Sequence, residues 1–233
     1  MGKNKFDWGN TSPAFQKLVS KEIFEDKCYE TIYQVKPGDV VMDLGASIGP
    51  FTWSIMDKAS RVIAVEPSEE LVPLLEKNTA GYPVSLVNKA LAKWDGGEIM
   101  DNVFDNDSGI KENLHYISKK VKTTSFRSII KEHNLDRIDF IKTDCEGGEY
   151  SLFTEANMPY LLNNVRSIVG EWHLSHKCPE HKVEFRYFRD KYLKQFPNFE
   201  VYSIDGVNIK WDLWNDHFIE YYNQVIIHIN NGD

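Results

Sequence analysis

Cysteine is scarce in this chain. Cys28, Cys145 and Cys178 are an odd count among 233 residues, with no C-x-x-C pair. A disulfide framework is thereby excluded as the basis of stability, and a reducing compartment fits. Long apolar runs are also missing, since no window approaches the ~18 consecutive apolar residues of a membrane span. The opening Met1-Gly2-Lys3-Asn4-Lys5-Phe6 has neither the apolar core of a secretory leader nor a hydroxyl residue placed for myristoylation. A cytoplasmic protein is expected. Asn10-Thr11-Ser12 and Asn106-Asp107-Ser108 fit the glycosylation pattern but are expected to be idle there. Positive charge is in the minority: Lys plus Arg total 27 against 35 Asp plus Glu, a net charge of −8. Nucleic acid and anionic membranes are repelled by such a balance. The densest basic stretch, Lys119-Lys120-Val121-Lys122, reads as a solvated edge rather than a phosphate track.

With 42% hydrophobic and 27% charged residues, the chain can build a large core without a metal or disulfide staple. Residues 11–34 read as a helical entry segment, started by Ser12 and Pro13, with Phe15, Leu18, Val19, Ile23 and Phe24 as an apolar stripe. A turn at Pro37-Gly38-Asp39 follows. Buried strands are then expected at 40–42, 61–65, 84–87, 138–142 and 165–170. Helices are expected at 49–58, from a Ser68 cap to Lys77 with Pro73 as a blemish, at 124–133 and at 181–195. This alternation predicts an α/β fold, a mostly parallel sheet with helices on both faces. Runs at 199–204 and 224–229 read as a pair closing one edge, and 93–123 as a hairpin excursion containing Gly96-Gly97 and Asp107-Ser108-Gly109. The organisation is an entry segment over 1–36 ahead of one domain over 37–233.

The most informative stretch is Val40-Val41-Met42-Asp43-Leu44-Gly45-Ala46-Ser47-Ile48-Gly49. A strand ends in an acid, turns through glycines and opens a helix, the usual cradle for a ligand in doubly wound folds. Gly45 would allow the tight turn and Gly49 a close approach of backbone to ligand. Glu66, at the end of the next strand, stands where a carboxylate can accept both hydroxyls of a ribose. A dinucleotide site expects G-x-G-x-x-G, whereas the spacing here is G-x-x-x-G, and Asp43 would repel a diphosphate. S-adenosylmethionine carries an ammonium and a sulfonium to that position, so Asp43 favours it by charge complementarity.

These residues, with Val65-Glu66-Pro67 and Ile138-Asp139-Phe140-Ile141-Lys142-Thr143-Asp144-Cys145-Glu146-Gly147-Gly148-Glu149, resemble the FkbM family of S-adenosylmethionine-dependent methyltransferases. The resemblance spans about residues 38–173. It implies a class I methyltransferase fold, Rossmann-like, with a seven-stranded sheet holding one antiparallel strand, and O-methylation of a hydroxyl on a sugar, glycan or other small molecule. It implies that Asp43, Gly45, Ala46, Ser47 and Gly49 hold the methionine end of the donor. Glu66 and Pro67 would hold the ribose, Asn88, Ala90 and Leu91 would flank the adenine, and Asp144 would face the methyl-transfer centre. Ser47 stands where the family commonly has Asn, and Cys145 where it has a branched apolar residue.

An alcohol needs a base to take its proton. The expected base is His173, oriented by Glu171 or Asp144, with Asp144 as the substitute. Asp144, Glu146, Glu149 and Glu171 raise the question of a divalent ion such as Mg²⁺. Metal-free catalysis is the preferred reading, because Glu146 and Glu149 are expected to begin a helix; Asp144 and Glu171 are the residues a metal would use. The His173-x-x-His176-x-Cys178-x-x-His181 series matches no common zinc spacing, and Pro179 suggests a loop over the site. Trp211-x-x-Trp214 is expected in the core rather than as an exposed platform for a sugar. Two other functions remain open: a non-catalytic module that binds S-adenosylmethionine, and a nicotinamide-dependent oxidoreductase. No nucleic-acid or membrane partner is expected; the acceptor's identity and the oligomeric state stay open.

Overall fold

The computed structural model describes residues 3–104, 116–174 and 179–232. Ser12 caps α1 (Pro13–Val19) by accepting from the Phe15 amide, and Pro13 occupies the first turn, where its missing N–H costs nothing. The entry segment then passes through a π turn at Ser20–Glu25 and a 3₁₀ turn at Cys28–Glu30 instead of continuing as one helix. Its stripe is only partly used: Ile23 is buried, while Leu18 is 55% exposed.

Beyond it run β1 (Val40–Leu44), α2 (Pro50–Ile55), β2 (Arg61–Val65), α3 (Val72–Thr79) and β3 (Val84–Val87). Next come β4 (Ala90–Ala92), β5 (Glu98–Phe104), β6 (Tyr116–Ser125), α4 (Phe126–Glu132), β7 (Ile138–Thr143), α5 (Met158–Asn164) and β8 (Val165–His173). The chain ends with α6 (Pro179–Tyr187), β9 (Asn198–Tyr202), α7 (Asp216–Tyr221) and β10 (Gln224–Asn230). The main sheet has seven strands in the order β3-β2-β1-β7-β8-β10-β9. All pairs are parallel except those made by β10, which is antiparallel to both neighbours. Strand order reverses between β1 and β7, and the crevice beyond their carboxyl ends is where such sheets bind ligands.

Alternation along each strand sends side chains to opposite faces. Met42, Leu44, Ile63 and Ile141 join Phe126, Trp172 and Phe188 on one face. Val41, Val62, Phe140 and Val169 join Phe51, Ile55 and the entry segment's Tyr29 and Tyr33 on the other. Tyr33 stacks on Phe140 at 5.8 Å, so the entry segment completes the core on that face. The excursion is a second, three-stranded sheet in which β5 and β6 form the expected hairpin. There Lys119 pairs with Glu70 and Lys120 with Glu98; Asn106 and Asp107-Ser108-Gly109 lie outside the described residues.

Two expectations are corrected, and the helix expected over 181–195 is found with a changed winding. Ser68 does not cap α3, which starts at Val72 with Pro73 in its first turn; the Ser68 hydroxyl turns instead to Glu70. The helix expected over 181–195 is α6 followed by a π turn and a 3₁₀ turn. Trp211 and Trp214 are 80% and 49% exposed, because Leu213 and Phe218 fill the core position of that connector. Among the described residues, no helix is long and apolar enough to cross a membrane.

Candidate active site

Asp43 sits at the last-but-one position of β1, level with Lys142 of β7 in the register. That pairing changes its meaning. The carboxylate is fully buried; Thr52 donates to its Oδ2 at 2.7 Å, and the Lys142 ammonium lies 3.4 Å from its Oδ1. The charge expected to meet the donor's cations is therefore already matched inside the protein. Lys142 also donates to the Gly45 carbonyl at 2.8 Å and lies 3.8 Å from Asp144. Burial works against its charge, but Asp43 and Asp144 outweigh burial and hold its pKa above the ordinary lysine value.

The glycine loop is shaped by protein contacts. Gly45 has φ of 77°, and a Cβ there would lie 1.8 Å from the Asp144 carbonyl oxygen. Gly49, expected to face the ligand, has φ of 88° and would place a Cβ 2.6 Å from Leu75 of α3. Its small size serves the packing of α2 on α3. Ala46 is buried and packs with Leu75. Ser47 adopts a left-handed backbone and donates its amide to Glu66 at 2.8 Å, while the Ser68 amide donates to the other Glu66 oxygen at 2.9 Å. Glu66 thus clamps the turn after β1 to the turn after β2, beside Pro67. Asn88 donates to the carbonyls of Glu66 and Pro67, and Ala90 and Leu91 are buried in β4.

A second group gathers at the tips of β7 and β8. His173 lies 2.8 Å from Glu149 through Nδ1, 3.3 Å from Glu146 and 3.7 Å from Glu171 through Nε2. Glu149, fully buried, is the orienting residue, in place of the expected Glu171 or Asp144. Its Oε1 also accepts from the amides of Cys145 and Gly147. Burial disfavours the charged imidazole, but the bond to Glu149 and the nearby carboxylates overcome this and raise the pKa to about 10. These carboxylates favour the imidazolium form of His173. Burial, then Asp144, push Glu171 up to about 8. Asp144 accepts from the Tyr29 hydroxyl at 3.2 Å, which brings the entry segment into the site.

Lys142 and Tyr29 had no assigned place in the site in the sequence reading, and Glu149 appeared there only among possible metal ligands, not as the partner of His173. Glu146 and Glu149 do not open a regular helix. Glu146 is left-handed at φ 51°, Gly147 follows at 106°, and the chain turns Glu149 inward at the start of a 3₁₀ turn. The Gly147-Gly148 pair was the available signal. Of the histidine and cysteine series, His176 and Cys178 lie outside the described residues. His181 lies against Gly147 and Tyr150. The metal-type grouping among the described residues is Asp144, Glu146 and His173, not Asp144 with Glu171.

The strand order, the single antiparallel strand and the acidic residues at the tips of β1 and β2 define the class I methyltransferase architecture. Within it, the chain belongs to the FkbM family of S-adenosylmethionine-dependent methyltransferases: the Methyltransferase FkbM domain matches residues 43–195. Ribosomal RNA small subunit methyltransferase A of Alkaliphilus oremlandii is 28% identical over 116 residues, 45% of this chain and 40% of that protein. Alpha N-terminal protein methyltransferase 1 of Schizosaccharomyces pombe is 29% identical over 133 residues, 51% of this chain and 61% of that protein. The chain thus spans less than two thirds of either relative. The crystal structure of methyltransferase FkbM from Methylobacillus flagellatus KT superimposes with a TM-score of 0.53 at 16% identity, over 90% of this chain and 47% of that one. That likeness is one of fold.

Proposed function

We propose that the protein transfers the methyl group of S-adenosylmethionine to a hydroxyl of a sugar, glycan or other small molecule. The observation that carries this reading is the grouping of carboxylates at the ends of β1, β2, β7 and β8, around the reversal of strand order. The donor supplies an electrophilic methyl on a sulfonium, so the chain has to align the acceptor and take its proton. Gly45 and Ser47 would line the methionine end, with the buried Ala46 and Gly49 packing the loop onto Leu75 behind them. Glu66 and Pro67 would hold the ribose, and Asn88, Ala90 and Leu91 the adenine side. With Asp43 neutralised by Lys142, Asp144, whose side chain is 29% exposed, is the carboxylate assigned to the donor's positive end.

Glu171 is assigned as the base in its ionised form, so turnover should rise with pH towards about 8. Its side chain is 20% exposed at the end of β8, and among the described residues no hydrogen bond ties up its carboxylate. His173 becomes a positioning residue between Glu149 and the acids of the cleft. The acidic mouth favours an uncharged hydroxyl over a phosphodiester backbone. Free thiols at Cys28 and Cys145 suit a reducing, cytoplasmic setting.

Labelled methyl transfer should be assayed on neutral polyols and sugars alongside ribosomal RNA and peptide amines. The expected outcome is transfer to hydroxyls, reduced at least ~100-fold in Glu171→Gln with donor affinity retained. Transfer to RNA or amines alone would overturn the reading, and donor binding without any turnover would favour a non-catalytic module.

A further inference from the structure

One ligand-type atom each from Asp144, Glu146 and His173 lies within 4.8 Å of the other two. We infer that these three side chains form a binding site for a divalent cation of borderline hardness, with Mn²⁺ or Zn²⁺ as its natural class. Two carboxylates and one imidazole suit such ions, whereas Mg²⁺ and Ca²⁺ prefer oxygen alone.

The surroundings of the histidine carry the argument further than proximity. Metal-ligating imidazoles hand their second N–H to a carboxylate that fixes tautomer and ring orientation. Glu149 is in that position: fully buried, it meets Nδ1 at 2.8 Å and is itself held by the amides of Cys145 and Gly147. With Nδ1 so engaged, Nε2 is left on the side of Glu146, 3.3 Å away. The other Glu149 oxygen, Oε2, is buried without a hydrogen-bond partner among the described residues. A buried carboxylate oxygen left without a partner is costly. The rest of the cleft is also short of cations: Asp43, Asp144, Glu146, Glu149 and Glu171 share it with Lys142 and His173. A divalent ion would displace the Nε2 proton of His173 and still leave the cleft one positive charge richer.

The site is closed on one side and open on the other. The His173 side chain is 11% exposed, whereas Glu146 is 63% exposed. An ion there would keep open positions for water or an acceptor oxygen. Polarising an acceptor hydroxyl is a use that rests on the methyl-transfer reading; the binding itself does not.

The test is direct titration of the EDTA-stripped, dialysed full chain with Mn²⁺ and with Zn²⁺, without methyl donor or acceptor. Free Mn²⁺ is followed by electron paramagnetic resonance, and both ions by calorimetry. One saturable site per chain is expected, weakened at least ~10-fold by Glu146→Gln and by His173→Gln, and ~10–100-fold by Glu149→Gln. Glu146→Gln is the deciding variant, because its side chain is exposed and circular dichroism should show an unchanged fold. No saturable binding at millimolar ion, or binding that Glu146→Gln and His173→Gln both leave unchanged, would overturn the inference. A protein that binds the ion yet methylates no hydroxyl would refute the proposed function and leave this site standing.

Discussion

At the scale of single residues, Lys142 decides the electrostatics of the cleft. Its ammonium is buried between Asp43 and Asp144 and bonded to the Gly45 carbonyl. Removing one partner of a buried ion pair leaves the other charge uncompensated, at a cost of about 3–5 kcal/mol. Lys142→Met should therefore lose about that much stability in urea titrations. Lys142→Met combined with Asp43→Asn should lose clearly less than the two single losses added, because the stranded charge has gone. Additive losses would show that the pair does not interact. Asp43 and Glu66 were legible in the sequence because each ends an apolar run. Lys142 was visible only as a family-like residue: spacing along one strand carries no information about which residue of a non-adjacent strand stands beside it. Parallel pairing of β1 with β7 brings Asp43 level with Lys142 across nearly a hundred residues. Glu149 was hidden differently, by a left-handed turn at Glu146-Gly147 that breaks the helical periodicity assumed for it.

At the scale of elements, the turn after β1 is fixed by how closely it passes the turn after β7. Gly45→Ala combines a left-handed φ with a Cβ 1.8 Å from a carbonyl oxygen. Backbone cannot yield as a flexible side chain can, so the expected loss is about 3 kcal/mol. Gly38 is the control: its φ is 96°, but a Cβ there meets nothing within 4 Å. Gly38→Ala should cost only about 1 kcal/mol, for the backbone conformation alone. Equal losses in denaturant titrations would show that the approach to Asp144 does not matter. Both glycines were readable as turn formers. What they pack against was not, and Gly49 shows the consequence: the room it leaves is taken up by Leu75 rather than a ligand.

At the scale of the whole molecule, the alternation of apolar runs and amphipathic stretches was enough to read the sheet, its mostly parallel sense and the closing pair. It did not reveal how the entry segment joins the sheet, because that contact depends on side chains such as Thr31 and His228, 3.2 Å apart. Burial lowers the His228 pKa to about 4, with Glu200 opposing. Between there and the unfolded value near ~6.5, the unfolded chain binds more protons than the folded one, so stability rises with pH across that window. The contribution should be complete above the unfolded value and lost as pH falls through the window, by about 3 kcal/mol. His228→Asn should flatten that part of the stability profile relative to the parent protein; parallel profiles would contradict the assignment. The connector's Trp211 and Trp214 were misplaced because composition cannot say which of Trp211, Leu213, Trp214 and Phe218 wins the interior.

The measurement that bears most directly on the whole account is calorimetric titration of S-adenosylhomocysteine into the parent protein and Glu66→Ala, with folding checked by circular dichroism. Losing the carboxylate at the end of β2 should weaken binding at least ~10-fold, the worth of charge-assisted hydrogen bonds to a diol. A folded Glu66→Ala protein that takes up S-adenosylhomocysteine as tightly as the parent would contradict it.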